Sequence, residues 1–189
     1  MSLKGKQVLI TGGSGEIGRS IALELAAEGA HITFTYFSNH DGARETAEAV
    51  EELGVDCRML RAHLGRDKSV LELLEQLNAL EPMDIFVHNA ASGVLKPLTE
   101  LTTKHWDWTH HVNVRAFFTL TQALHQNGQL KKNGRVIALS SLGALRAIPQ
   151  YAVVGSSKAA LESLVRHLAA ELGGQGITAN IVSPGVIDT

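Results

Sequence analysis

The chain has 189 residues, with 17 basic and 19 acidic side chains for a net charge of −2, and 44% of its residues are hydrophobic. These values describe one globular domain with room for a full core, and no basic stripe marks a surface for nucleic acid or an anionic membrane. No apolar run reaches the roughly 18 residues of a membrane span, and Cys57, the single cysteine, excludes an intrachain disulfide. The start, Met1-Ser-Leu-Lys-Gly-Lys6, runs directly into a strand-like segment and leaves no room for a signal peptide, so the cytoplasm is the expected compartment. None of the nine histidines stands in HExxH or another metal-binding spacing, so no metal is expected.

Gln7–Thr11 reads as a strand and Ile17–Glu28 as a helix. A second strand covers His31–Tyr36, followed by a helix over Asp41–Leu53 with a polar outer face. Val55–Ala62 is the third strand, Lys68–Leu80 the third helix and Asp84–His88 the fourth strand. The periodicity then predicts one long helix over Thr103–Gln126, capped by Thr102 or Thr103. Gly134–Leu139 is strand five, a helix runs on to about Leu172, and Ile177–Val182 is strand six. Strands alternating with helices of this length make βαβ units and a parallel sheet covered on both faces. Only Ser183–Thr189 follow the last strand, so a C-terminal part of the natural protein, carrying a substrate lid and last strand, is expected to be missing here.

Between the first strand and helix lies Thr11-Gly-Gly-Ser-Gly-Glu-Ile-Gly18. Glycines there let the backbone turn tightly and approach a pyrophosphate, while the helix N-terminus offers free N–H groups and the positive end of its dipole. The loop's position after the first strand of a βαβ series makes it much stronger evidence than a lone glycine cluster. Glu16 is awkward beside a pyrophosphate, unless it points to solvent. An acid at the end of the second strand would hydrogen-bond the ribose 2′-hydroxyl of NAD. Here that end reads Tyr36-Phe-Ser-Asn39, with no acid before Asp41, which favours NADPH over NADH; Arg19 or Arg44 could meet the 2′-phosphate, or each could be a solvated helix residue.

Tyr151 and Lys158 stand seven positions apart in Tyr151-Ala-Val-Val-Gly-Ser-Ser-Lys158. On an α-helix, residues seven apart differ by about 20° and residues four apart by about 40°, so either spacing places two side chains on one face. The longer step moves the tyrosine about 4.5 Å along the axis. This spacing resembles that of the enoyl-acyl-carrier-protein reductases, in which hydride goes to the β-carbon; the charge-collecting oxygen is then a few ångströms farther away than in a ketone reduction, and a displaced tyrosine would fit that reach. This geometry assumes that Tyr151 belongs to the regular helix, which Pro149 brings into question.

Together these residues resemble the short-chain dehydrogenase/reductase family. Thr11-Gly12 to Gly18 is similar to its TGxxxGxG loop, with Glu16 in place of the middle glycine. Asn89-Ala90-Ala91 resembles its NAG motif, Asn113 its helix asparagine, and Asn180 with Ser183-Pro184-Gly185 to Thr189 its N…PGxxxT segment; His63 stands where many members carry an aspartate near the adenine. Most members have Tyr-x3-Lys, whereas here that position is Val154. The Tyr-x6-Lys spacing resembles the enoyl-acyl-carrier-protein reductases. Leu139–Tyr151, Asn89–Pro97 and His105-Trp-Asp-Trp108 resemble the third bacterial type of that enzyme, as does Ser141 where the best-known type has a second tyrosine.

The resemblance implies a Rossmann-type, doubly wound α/β domain over residues 1–189 that binds NADPH and reduces an enoyl thioester of fatty-acid synthesis. Cofactor contacts would come from Gly12, Ser14, Gly15, Ile17, Gly18, Asn89, Ala90, Lys158, Pro184 and Gly185. Tyr151 would hydrogen-bond the thioester carbonyl and stabilise the enolate, and Lys158 would hold the nicotinamide ribose and keep the field positive. Ser141 could contact substrate or cofactor or cap a loop. Asn113 would support the helix and a water near Lys158. Trp106 and Trp108 read as core or subunit contact more than as a substrate box. An acyl carrier protein is a possible partner, and a homodimer or homotetramer through the long helices is expected. The alternatives are a ketoreductase of the same family and a catalytically silent dinucleotide sensor.

Overall fold

The computed structural model describes residues 2–185 and 187. Six parallel strands form one sheet: β1 (Gln7–Thr11), β2 (His31–Tyr36), β3 (Cys57–Arg61), β4 (Met83–His88), β5 (Leu130–Leu139) and β6 (Thr178–Val182). Their order across the sheet is β3-β2-β1-β4-β5-β6. The helices are α1 (Glu16–Ala27), α2 (His40–Glu51), α3 (Asp67–Asn78), α4 (Thr103–His110), α5 (Ala116–Gln126) and α6 (Ala152–Leu172).

Alternation along the strands builds a core on each face of the sheet. Val8 and Ile10 of β1 and Ile85 and Val87 of β4 pack with Ala22 and Ala26 of α1 and with Ala43 and Val50 of α2. Leu9 and Phe86 point the other way, into Leu73 of α3, Phe117 and Leu120 of α5 and Leu161 of α6. This is the doubly wound arrangement expected from the alternating elements. Strand order reverses between β1 and β4, and the crevice at the carboxyl ends of those strands is where such sheets bind ligands.

Three element boundaries differ from the sequence reading. The long helix is not continuous: His111–Arg115 forms a π turn between α4 and α5. Periodicity does not register one inserted residue, and apolar side chains on both sides of the turn remain buried. β5 begins at Leu130, with Asn133 in the left-handed region (φ 60°) and a register shift opposite Met83–Ile85. Asp84, within that irregularity, accepts from the Gln7 N–H at 3.0 Å and from the ammonium groups of Lys6 (2.9 Å) and Lys131 (2.8 Å). Burial alone would push its carboxyl up, but these donors outweigh it and hold Asp84 below the usual carboxylate range. The third boundary is at Tyr151, which immediately precedes α6 with φ −107° and ψ 10° and is not within it. Among the described residues, no helix is long and apolar enough to cross a membrane.

Candidate active site

The crevice holds a cavity of about 680 Å3, a size suited to a cofactor. Gly12, Ser14, Gly15, Ile17 and Gly18 line it from the first loop, and Asn89 and Ala90 from the end of β4. The loop is tightly folded. Gly12 has φ 75°, and a Cβ there would lie 3.0 Å from the Ala90 backbone; a Cβ on Gly18 would collide with the Gly12 carbonyl. The Asn89 amide clamps this turn, donating to the carbonyls of Thr11 (3.1 Å) and Gly12 (3.0 Å). No side chain caps α1, so its first N–H groups stay available to an anion at the cavity wall. Glu16, the first residue of that helix, is exposed and also borders the cavity.

Asn39 anchors the far end. It caps α2 by accepting from Gly42 N (3.1 Å), and its Nδ2 donates to the Ser14 carbonyl (2.9 Å). Neither Arg19 nor Arg44 lines the cavity; they pair with Glu45 (4.0 Å) and Glu48 (3.7 Å). Arg61 also stands beside the end of β2, its Nε donating to the Phe37 carbonyl at 3.2 Å, and like the other two arginines it does not line the cavity. Its sequence position, at the close of a neighbouring strand, gives no hint of this until the β2–β3 register pairs Tyr36 with Arg61.

His63 and Trp108 form the cavity wall near Phe37. The His63 ring stands edge-on to both, with centroids 4.2 Å from Phe37 and 5.0 Å from Trp108. The Trp108 indole donates to Ser92 Oγ at 2.7 Å, and a Cβ on Gly65 would strike that ring at 2.7 Å. Trp108 therefore lines the cofactor cavity, neither core nor substrate box, whereas Trp106 is half-exposed and stacks on His110.

The β5–α6 loop and the start of α6 bring the remaining candidates together outside that cavity lining. The Tyr151 hydroxyl donates to Ser141 Oγ at 3.2 Å, and its ring lies over Gly143, where any Cβ would meet it. Gln150, just before it, has φ 60°, and its carbonyl accepts from Lys96 N (3.0 Å), which ties this loop to the β4–α4 loop. Ser141 also accepts from Gly143 N (3.3 Å) and so caps the short turn Leu142–Ala144. Val154, the position of the usual tyrosine, is buried with its side chain against Gly93.

Lys158 is buried, and its ammonium donates to the Leu139 carbonyl at 2.7 Å. Burial lowers its pKa to about 8. Asn113 sits within the π turn and is fully buried. Its Oδ1 accepts from Ser92 N (2.8 Å), and its Nδ2 donates to the Ser92 carbonyl (2.9 Å) and to Ser157 Oγ (2.9 Å). These bonds tie the side chain to the β4–α4 loop and to α6. Pro184 and Gly185 leave β6 and do not line the cavity; Thr189 lies outside the described residues.

The family model for enoyl-(acyl carrier protein) reductase matches residues 13–189. The 1-cyclohexenylcarbonyl-CoA reductase of Streptomyces collinus is 39% identical over 96% of this chain, and the match spans 64% of its own length. A hydroxynaphthalene reductase-like protein of Metarhizium anisopliae is 34% identical, with 100% of this chain and 70% of that protein covered. A blue fluorescent protein from a metagenomic library, solved in complex with NADPH, superposes with a TM-score of 0.94 at 37% identity over 100% of this chain and 77% of its own. The chain belongs to the short-chain dehydrogenase/reductase family.

Proposed function

We propose that this chain carries the cofactor-binding and catalytic core of an NADPH-dependent reductase acting on the carbon–carbon double bond of an enoyl thioester. One observation carries this reading: Tyr151 is the phenol beside Ser141 ahead of Lys158, and the four-residue position is filled by a valine packed on Gly93. The Streptomyces relative, a 1-cyclohexenylcarbonyl-CoA reductase, supports it.

The residues present fit NADPH. The uncapped start of α1 and the Gly12–Gly18 turn suit a pyrophosphate. Asn39 and Ser38, rather than an acid, border the cavity at the end of β2, with Arg61 beside it. The complex of the metagenomic neighbour with NADPH supports the same cofactor. When bound, the reduced nicotinamide supplies a hydride. Tyr151 would donate its hydrogen bond to the thioester oxygen where negative charge collects, with the α-carbon taking its proton from solvent, and Ser141, its present partner, holds the hydroxyl in place until substrate arrives. Lys158, protonated below about pH 8, keeps the field around that oxygen positive. Asn113 holds the start of α6 through Ser157 and positions this pair without touching substrate.

A ketoreductase is the second reading, supported by the hydroxynaphthalene reductase-like relative. Following NADPH oxidation with a crotonyl and an acetoacetyl thioester separates the two: turnover of the keto substrate alone would remove the first. The thioester carrier, coenzyme A or an acyl carrier protein, is distinguished in the same assay. We also place a homo-oligomer contact on α4–α6, where Phe118 is exposed beside Val114 and Leu164; light scattering tests it.

A further inference from the structure

We infer that His88 is a positioning residue, a neutral imidazole protonated on Nε2 that links the nucleotide loop to the π turn holding Asn113. The tautomer follows from counting. A threonine hydroxyl has two lone pairs and one proton. Thr11 Oγ1 accepts from the N–H groups of Asn89 (3.1 Å) and Ala90 (3.0 Å), which uses both lone pairs. Its proton is left for the third neighbour, His88 Nδ1, at 3.1 Å. Nδ1 is therefore the acceptor, and the ring proton sits on Nε2.

Nε2 is buried and has no hydrogen-bond partner of good geometry among the described residues. The backbone carbonyls of Val112 and Asn113 are near enough to act on the ring, as is the charge of Lys158. Both belong to the π turn, whose inserted residue displaces carbonyls from the ordinary helical ladder. Phe117 (5.3 Å between centroids) and Phe86 (6.3 Å) flank the imidazole and keep water from it. A second proton on Nδ1 would face a hydroxyl with no lone pair left, and would place a cation in the field of Lys158.

One connected path results. Thr11, at the mouth of the nucleotide loop, holds the end of β4; His88 bonds that hydroxyl on one edge and faces the π turn with the other. The π turn carries Asn113, which grips Ser92 and Ser157, the residue before Lys158. The Gly12–Asn89 turn and the head of α6 are thereby set relative to each other from beneath.

Nitrogen NMR on the full chain with 15N-labelled histidine tests the tautomer independently of the proposed activity. The account expects one protonated and one unprotonated ring nitrogen on His88, with the proton on Nε2, unchanged from about pH 5 to 8. It also expects Thr11→Val to move the Nδ1 resonance. A proton on Nδ1, or an imidazolium in that range, overturns the inference. The positioning role, which rests on the NADPH reading, is tested by cofactor affinity and turnover. His88→Phe keeps ring volume but loses both polar edges, and it should weaken NADPH binding and turnover about tenfold. His88→Gln, which can still accept and donate, should recover most of that loss. Equal behaviour of the two variants overturns the positioning role. If His88→Phe does not fold, His88→Gln against Thr11→Val gives the same comparison. If the unaltered protein binds no NADPH, the reductase reading fails and the tautomer result still stands.

Discussion

Lys158 donates its ammonium proton to the Leu139 carbonyl across 2.7 Å, so the end of β5 and the first third of α6 are locked together by the residue assigned to hold the field. Burial lowers its pKa from 10.5 to about 8. The protonated form is the useful one, so kcat/KM for NADPH-dependent reduction should fall as pH rises through about 8, with the slope of a single proton. Lys158→Arg keeps its charge and should lose that alkaline limb at a reduced overall rate. The stability effect has the opposite sign. Between about pH 8 and 10.5 the unfolded chain binds a proton that the folded chain does not, so this residue makes the fold more stable as pH rises through that window.

His88 should make the fold acid-sensitive. Burial, reinforced by the charge of Lys158, lowers its pKa from 6.5 to about 3. Its stabilising contribution is present above pH 6.5 and is lost as pH falls toward 3, because the unfolded chain takes up the proton first. Urea unfolding at pH 7 and pH 4.5 should show a loss of about 2–3 kcal/mol in the native protein that is absent in His88→Gln.

Arg61 should discriminate between the two nicotinamide cofactors. It stands beside the end of β2, where no acid occupies the position that would hold a ribose 2′-hydroxyl. Arg61→Ala should raise KM for NADPH by about tenfold, the scale of one lost charge-assisted hydrogen bond, and leave KM for NADH unchanged. Steady-state kinetics with both cofactors reads this directly. Equal effects on the two would return the 2′-phosphate to Arg19 or Arg44.

The architecture was legible because its signals are local and repeated. Val8, Ile10, Ile85 and Val87 alternate with Leu9 and Phe86, and glycines stand where the first turn must close on Asn89. The cavity was legible for the same reason: five residues expected from the nucleotide loop line it, with Asn89 and Ala90 from the end of β4. The π turn was not, because one extra residue between Trp108 and Phe117 leaves the apolar period nearly intact. Pro149 signals that Tyr151 precedes the helix, but the conformation of Gln150 is not legible, since its carbonyl is held by Lys96 of a distant loop. The helical phase argument therefore stops at Ala152. Trp108 was weighed mainly as packing because its partners, Ser92, His63 and Gly65, lie in three separate segments. His88 reads as one more apolar-flanked strand residue until Thr11 is beside it.

Which bond Tyr151 helps to reduce separates the enoyl from the keto reading. Purified protein and NADPH should be assayed with crotonyl and acetoacetyl thioesters, alongside Tyr151→Phe. The account predicts turnover of the crotonyl thioester, little or none of the acetoacetyl thioester, and a loss of at least about a hundredfold in kcat for Tyr151→Phe with KM for NADPH unchanged. Reduction of the keto substrate alone, or full crotonyl activity in Tyr151→Phe, would contradict it.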